Sequence, residues 1–167
     1  YKETNNKKYC DTLHEAFKVF FVSTRKGGVN HKDKKNQDWI EEYIVDPPTH
    51  ILNGFIWGLW GIYDYALLFK DNKALSLFNN YIETLINELS TYDTGYWSLY
   101  EHSGTKLPMI ASPFYHKLHI VQLKIMYKIT SLEYFNDIAI KWSLYQHKLL
   151  NKNIAILQKI IFKVFYY

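Results

Sequence analysis

Tyr115, His116 and His119 lie in the run Ser112-Pro-Phe-Tyr-His-Lys-Leu-His-Ile-Val-Gln-Leu123, directly after a proline-containing turn and at the start of an apolar helical stretch. Spacings of three and four share one helix face, so Tyr115 and His119 are expected to project together, with His116 beside them. A phenol and imidazoles at a helix mouth can pass protons or hold a polar ligand. Taken alone, the same spacing is commoner in a helix start whose rings seal a core. His116 and His119 are also spaced as two metal ligands can be, but no third ligand stands nearby and no metal is expected.

Two other segments carry polar aromatics. Glu41-Glu42-Tyr43 sets two carboxylates beside a phenol. Neighbours in a regular strand point to opposite faces, so Glu42 and Tyr43 can reach one ligand only across a bend or bulge. Exposed glutamates are the norm, and a solvated acidic edge is the plain alternative. In Tyr92-Asp-Thr-Gly-Tyr-Trp-Ser-Leu-Tyr100, Asp93-Thr-Gly95 is turn chemistry. Trp97 and Leu99 then alternate with Ser98 and Tyr100, which can share the opposite face.

The elements that must position these residues are mostly helical. The chain has 167 residues, enough for one domain with a real core. Leu13, Ala16, Phe17, Phe20 and Phe21 give helical periodicity over 9–22, and the lysine-rich stretch 23–38 reads as a loop. Residues 39–45 are short and β-prone, and Pro47-Pro48 ends them. The apolar run 49–69 has Gly54, Gly58 and Gly61 on one face, where another backbone is expected to approach closely. Asn53 and Asp64 in that run favour a buried helix over a membrane span. Residues 72–90 are amphipathic, with Asp71 as cap. Residues 101–113 form a loop and 115–129 a helix. Thr130-Ser-Leu-Glu133 resembles a capping box opening a helix to about residue 149. Ile154, Leu157, Ile161, Val164 and Phe165 define the inner face of a last amphipathic helix, with Lys152, Lys159 and Lys163 on its polar side. The expected architecture is all-α. Helical hairpins form part of an (α/α) toroid, with short extended segments at the site mouth. The expected division is 1–150 as a partial toroid and 151–167 as an additional helix.

Composition narrows the function. Hydrophobic residues are 48% and charged residues 22%, which fits a folded domain. The aromatic share of 18% suits sugar-ring binding and equally follows from a biased genome. The net charge of +4 fits an anionic ligand. Of 20 basic residues only Arg25 is an arginine, and no dense basic stripe exists, so nucleic-acid binding is not expected. Cys10 is the sole cysteine, which excludes an internal disulfide and a cysteine-based zinc cluster. Neither a phosphate-cradling glycine loop nor a Ser-His or Cys-His signature is visible. The start at Tyr1, with no signal-peptide pattern, is expected of a processed or partial chain. The basic side of the last helix can lie on anionic lipid, although packing on the preceding helices is commoner. A homodimer is compatible with the sequence, and the compartment stays open.

In order and approximate spacing, four stretches together resemble the C-terminal helical domain of the glucuronyl C5-epimerase family. They are Trp39-Ile-Glu-Glu-Tyr43, Pro47-Pro-Thr-His-Ile-Leu-Asn-Gly-Phe-Ile56 running to Gly61-Ile-Tyr-Asp64, Tyr92-Asp-Thr-Gly95 through Ser98-Leu-Tyr100, and Tyr115-His-Lys-Leu-His-Ile-Val-Gln-Leu123. The resemblance covers about residues 10–149.

It implies conversion of glucuronate to iduronate in a heparosan- or heparan-type acidic polysaccharide, without a cofactor. A base removes the proton on carbon 5 and an acid returns one to the opposite face. The resemblance carries catalytic roles onto Glu42, Tyr43, Tyr100 and Tyr115. It makes Asn53, His102, His116, Lys117 and His119 candidates for substrate contact. Vertebrate-type members have a basic residue just after the position of Tyr100, where this chain has Glu101-His-Ser103. Carboxylate binding is then expected from His102, Lys117 or Arg25. A uronate polysaccharide lyase begins with the same proton abstraction, and a non-catalytic acidic-glycan-binding domain needs only the cleft.

Overall fold

The computed structural model describes residues 3–166; Tyr1, Lys2 and Tyr167 lie outside the described residues. Among the described residues the fold is all-α, with six helices and a single two-stranded ribbon. Two helical hairpins form its frame. Helix α2 (Leu52–Phe69) packs along α3 (Asn72–Glu88), and α4 (Pro113–Thr130) along α5 (Glu133–His147), with α4 also resting on α2. Both hairpins turn on a non-glycine residue in the left-handed region, Lys70 and Ser131. Asp71 then caps α3 by accepting from the N–H groups of Lys73 and Ala74, as its sequence position predicts.

The expected capping box at the start of α5 does not form. Ser131 is taken by the end of α4 and Thr130 turns back to the Met126 carbonyl, so α5 begins at Glu133 after an uncapped Leu132. The apolar run 49–69 is not buried on every side. Phe55, Ile56, Leu59 and Ile62 are fully buried, while Trp57, Gly61, Asp64 and Leu67 form an exposed stripe along α2. At the N-terminus, α1 (Lys7–Lys18) is shorter than the expected 9–22. The chain tightens into a 3-10 turn over Val19–Phe21. Helix α1 docks by stacking Phe17 on Tyr65 of α2, with ring centroids 3.7 Å apart.

The segment expected to be a loop contains strand β1 (Asn30–Lys32), paired antiparallel with β2 (Asp38–Ile40). The β-prone reading of 39–45 shrinks to the end of β2, because the chain bends at Glu42 and Tyr43.

The last helix, α6 (Leu149–Tyr166), packs on α5 and α4 with the face opposite to the one expected. Leu157, Val164 and Phe165 are exposed at 58%, 75% and 72%, whereas Ala155 and Phe162 are buried. Helix α6 is apolar on more than one side, so periodicity alone does not select its inner face. Small Ala155 lets the backbone come close, and Gln158 receives the Tyr96 hydroxyl. The result is that Lys159, expected on the polar side, turns inward. No described helix is long and apolar enough to cross a membrane.

Candidate active site

Three elements bring Glu42, Tyr43, Tyr100 and Tyr115 together. The first is the bend after β2. Ile40 packs against Gly58 and Glu42 against Gly54, so the glycines of α2 receive side chains of this segment, not another backbone. A Cβ at Gly54 would lie 2.4 Å from Glu42 Oε2 and 3.0 Å from Glu42 Cβ, and only glycine leaves that room. Gly61, on the exposed stripe, meets nothing within 4 Å. The bend also separates the two glutamates. Glu41 is buried, accepts the His50 N–H at 3.0 Å and lies 2.5 Å from His50 Nδ1, while Glu42 and Tyr43 turn outward.

The second element is the extended piece Trp97–Tyr100. Leu99 N–H donates to the Tyr92 carbonyl, and the Tyr100 N–H to the Met109 carbonyl at 2.7 Å. The Tyr100 carbonyl in turn accepts the Leu52 N–H at the first turn of α2, which fixes Tyr100 on both sides of its backbone. The third element is the start of α4. Ser112 caps it by accepting the Tyr115 N–H at 3.3 Å, and Pro113 occupies the first turn. The Tyr100 and Tyr115 rings meet edge to face, with centroids 4.8 Å apart.

The surroundings of Tyr100 determine its charge state. Burial, the Glu42 carboxylate and the phenols of Tyr115 and Tyr43 all push its pKa well above that of a free phenol. Tyr100 therefore carries its proton throughout the neutral range. Partial burial raises the Glu42 carboxyl above the ordinary carboxylate value, which makes it a stronger base when ionised.

His116 and His119 lie inside the fold, not at its mouth. Both are fully buried beneath the tyrosines and grip Ser98. Ser98 Oγ is 2.8 Å from His116 Nδ1 and 3.0 Å from His119 Nδ1, and the Ser98 N–H also donates to His116 Nδ1. His116 Nε2 is 3.1 Å from the Trp142 carbonyl. A carbonyl only accepts, so the His116 proton sits on Nε2; the serine hydroxyl then donates to His116 and accepts from His119 Nδ1–H. Burial lowers the pKa of His116 to about 4 and that of His119 to about 3, and both rings are neutral. The network ties Trp97–Tyr100 to α4 and α5, and so holds Tyr100 against Tyr115. Ser98→Ala would leave His119 Nδ1 unpaired in the interior, while His116 Nδ1 keeps the Ser98 N–H, and is expected to lower stability by about 1–3 kcal/mol, measured by denaturant unfolding.

The other candidates are dispersed. Asn53 is buried and its carbonyl accepts Gln122 Nε2–H at 3.0 Å, joining α2 to α4. His102 pairs with Thr91 Oγ1 at 2.8 Å and packs on Tyr92, and burial brings its pKa down to about 4. Lys117 is exposed two residues beyond Tyr115, about 200° around α4, and does not join the tyrosines. Arg25 lines a groove of 610 Å³ with His31, Lys34 and His50, a groove lined by none of the four clustered residues. Among the described residues no group of three His, Cys, Asp or Glu side chains is placed to hold a metal ion. Two residues at the site escape sequence reasoning, Ser98 as the hub of the buried network and Lys159 of α6. Lys159 Nζ lies 5.3 Å from the centroid of the Tyr100 ring.

Residues 1–144 match the family described as D-glucuronyl C5-epimerase C-terminus. The chain belongs to that family. It is 30% identical over 157 residues to the D-glucuronyl C5-epimerase of Caenorhabditis elegans, which covers 85% of this chain and 25% of that protein. It is 28% identical over 145 residues to an uncharacterized protein of Methanocaldococcus jannaschii, covering 85% of this chain and 46% of the other. The chain thus spans less than half the length of these two relatives. The matched C5-epimerase region holds Glu42, Tyr43, Tyr100 and Tyr115, and α6 lies beyond it.

Proposed function

We propose that the protein inverts carbon 5 of D-glucuronate residues in an acidic, heparosan- or heparan-like polysaccharide, giving L-iduronate. The observation that carries this reading is the convergence of Glu42, Tyr43 and Tyr115 on Tyr100, a phenol held in its protonated form. Family membership supports it, and the hairpins fit part of an (α/α) toroid whose mouth the extended segments line.

In the proposed reaction the Glu42 carboxylate takes the proton from carbon 5. The C–H electron pair moves onto the sugar carboxylate and forms an enediolate. Tyr100 delivers its proton to carbon 5 from the opposite face, the new C–H bond forms, and the carboxylate is restored. The two protein groups then re-equilibrate their protons with water. Tyr115 and Tyr43 donate hydrogen bonds to the developing negative charge, where fixed donors are most effective. No oxidant or reductant is needed.

Incubation with heparosan-like polymer, followed by NMR, is expected to reveal iduronate signals without a rise in ultraviolet absorbance. An unsaturated, absorbing product would mark a lyase instead, and polymer binding with neither change would mark a glycan-binding domain. Gly54→Ala tests the seat of the base. The added methyl displaces the Glu42 carboxylate, and a misplaced reacting group costs about 10–100-fold in rate. The iduronate formation rate is expected to fall by that factor while the thermal midpoint moves by only a few degrees.

A further inference from the structure

Removal of a proton next to a carboxylate needs a cation to hold that carboxylate, and none of the three groups expected from sequence stands at the tyrosines. His102 is engaged by Thr91. Lys117 turns away around α4. Arg25 belongs to the separate groove. The cation that does stand there comes from α6. Residues Ala155, Gln158, Lys159 and Phe162 form the inner face of this helix. Ala155 and Phe162 are buried, Gln158 receives the Tyr96 hydroxyl, and the Tyr166 hydroxyl accepts the Leu107 N–H at 3.3 Å. These contacts anchor α6 at both ends of its inner face and leave Lys159 over the Tyr100 ring.

The Lys159 ammonium has no ion pair among the described residues. Its near neighbours are the faces of Tyr100, at 5.3 Å, and Phe162, at 6.0 Å. By contrast Lys35 and Lys141, both mostly exposed, each hold a carboxylate, Glu88 and Asp93. A half-buried cation beside the proton donor, without a carboxylate of its own, is suited to receive one from a ligand.

We propose that Lys159 binds the carboxylate of the uronate ring. Helix α6, which lies outside the matched family region, thereby supplies the substrate-recognition charge. This rests on the uronate reading above. Salt-bridging to the sugar carboxylate also places the positive charge where the enediolate develops, so Lys159 favours both binding and proton removal. Burial lowers the Lys159 pKa, and the Glu101 carboxylate, which makes no ion pair with it, opposes that shift only in part.

The test compares affinity for heparosan-like polymer with affinity for the same polymer after reduction of its carboxylates to alcohols. The protein is used as wild type, Lys159→Gln, Lys159→Arg and Lys152→Gln, the last removing an exposed lysine on the same helix. Wild type is expected to prefer the acidic polymer. Lys159→Gln should weaken binding to it about 10–100-fold, the worth of one charge-assisted bond, with binding to the reduced polymer unchanged. Lys159→Arg should keep most of the preference, and Lys152→Gln should keep all of it. A folded Lys159→Gln with the wild-type preference overturns the proposal, as does an equal loss in Lys152→Gln. Should the glutamine variant unfold, Lys159→Met retains the packing on Tyr100 and is read in the same way. Wild-type iduronate formation is followed in parallel. Formation with an unchanged Lys159→Gln preference sinks the lysine role alone, whereas no formation and no preference sinks the uronate reading with it.

Discussion

Tyr100→Phe is expected to slow iduronate formation by about 100- to 10,000-fold, the usual contribution of a positioned general acid. The substitution removes only the hydroxyl. The ring contact with Tyr115 and the backbone bonds to Met109 and Leu52 are unaffected, so the thermal midpoint should stay within a few degrees of wild type. The check is the rate of iduronate formation in the polymer, read beside the unfolding curve. Tyr115→Phe is expected to act in the same direction, and the double variant to be little worse than Tyr100→Phe, because the two phenols serve one step. A Tyr100→Phe protein that forms iduronate at the wild-type rate would remove Tyr100 from the chemistry.

Acidification is expected to have the second large effect, and it acts on stability. His116 and His119 have folded pKa values depressed to about 4 and about 3, against about 6.5 when unfolded. The unfolded chain therefore binds more protons than the folded one between pH 6.5 and 4. Stability rises with pH across that window and is lost as pH falls through it. His102, held down to about 4 by burial, titrates in the same window. Each of the three rings contributes about 2 kcal/mol by pH 4.5, so unfolding free energy should drop by about 6 kcal/mol between pH 7 and pH 4.5. Asp33 and Asp93, whose folded pKa values are lowered, add to the loss only further down, below the ordinary carboxylate range. Denaturant unfolding at pH 7, 5.5 and 4.5 checks this. His119→Gln, which retains a neutral polar group, should flatten the curve by about a third. A stability independent of pH above 4.5 would mean that the buried imidazoles are not held neutral.

The chemistry of the site was legible where residue type and local spacing suffice. Tyr115 announces itself by its place after Ser112-Pro113 at a helix start. Tyr100 does so by its place at the end of a turn and extended piece, and Glu42-Tyr43 by the bend that both must share. The helices α2, α3 and α4 follow from apolar periodicity, because each has a broad apolar side. Alternation placed Ser98 on the face of Tyr100, but its role as a buried hub left no trace in sequence. A serine in an extended segment has no periodic signal, and its value arises only when α4 brings two imidazoles to it. The orientation of those imidazoles was also beyond reach, since spacing says that His116 and His119 lie near Tyr115 but not that they face the core. Strand β1 was hidden in a polar, lysine-rich stretch, where it exists only by pairing with β2. Lys159 was misassigned for a definite reason. In a helix with isoleucine, leucine and valine on several sides, the inner face is chosen by fit, here by Ala155, Gln158 and Phe162, and a lysine stem can lie along an aromatic ring on that face.

Solvent deuterium at carbon 5 of glucuronate residues, measured after incubating heparosan-like polymer with the protein in deuterated water, tests the proposed proton transfer most directly. Label at carbon 5 in an uncleaved chain, with iduronate appearing alongside it and the iduronate lost in Tyr100→Phe, is the expected result. Polymer that is bound and recovered with no label at carbon 5 would contradict it.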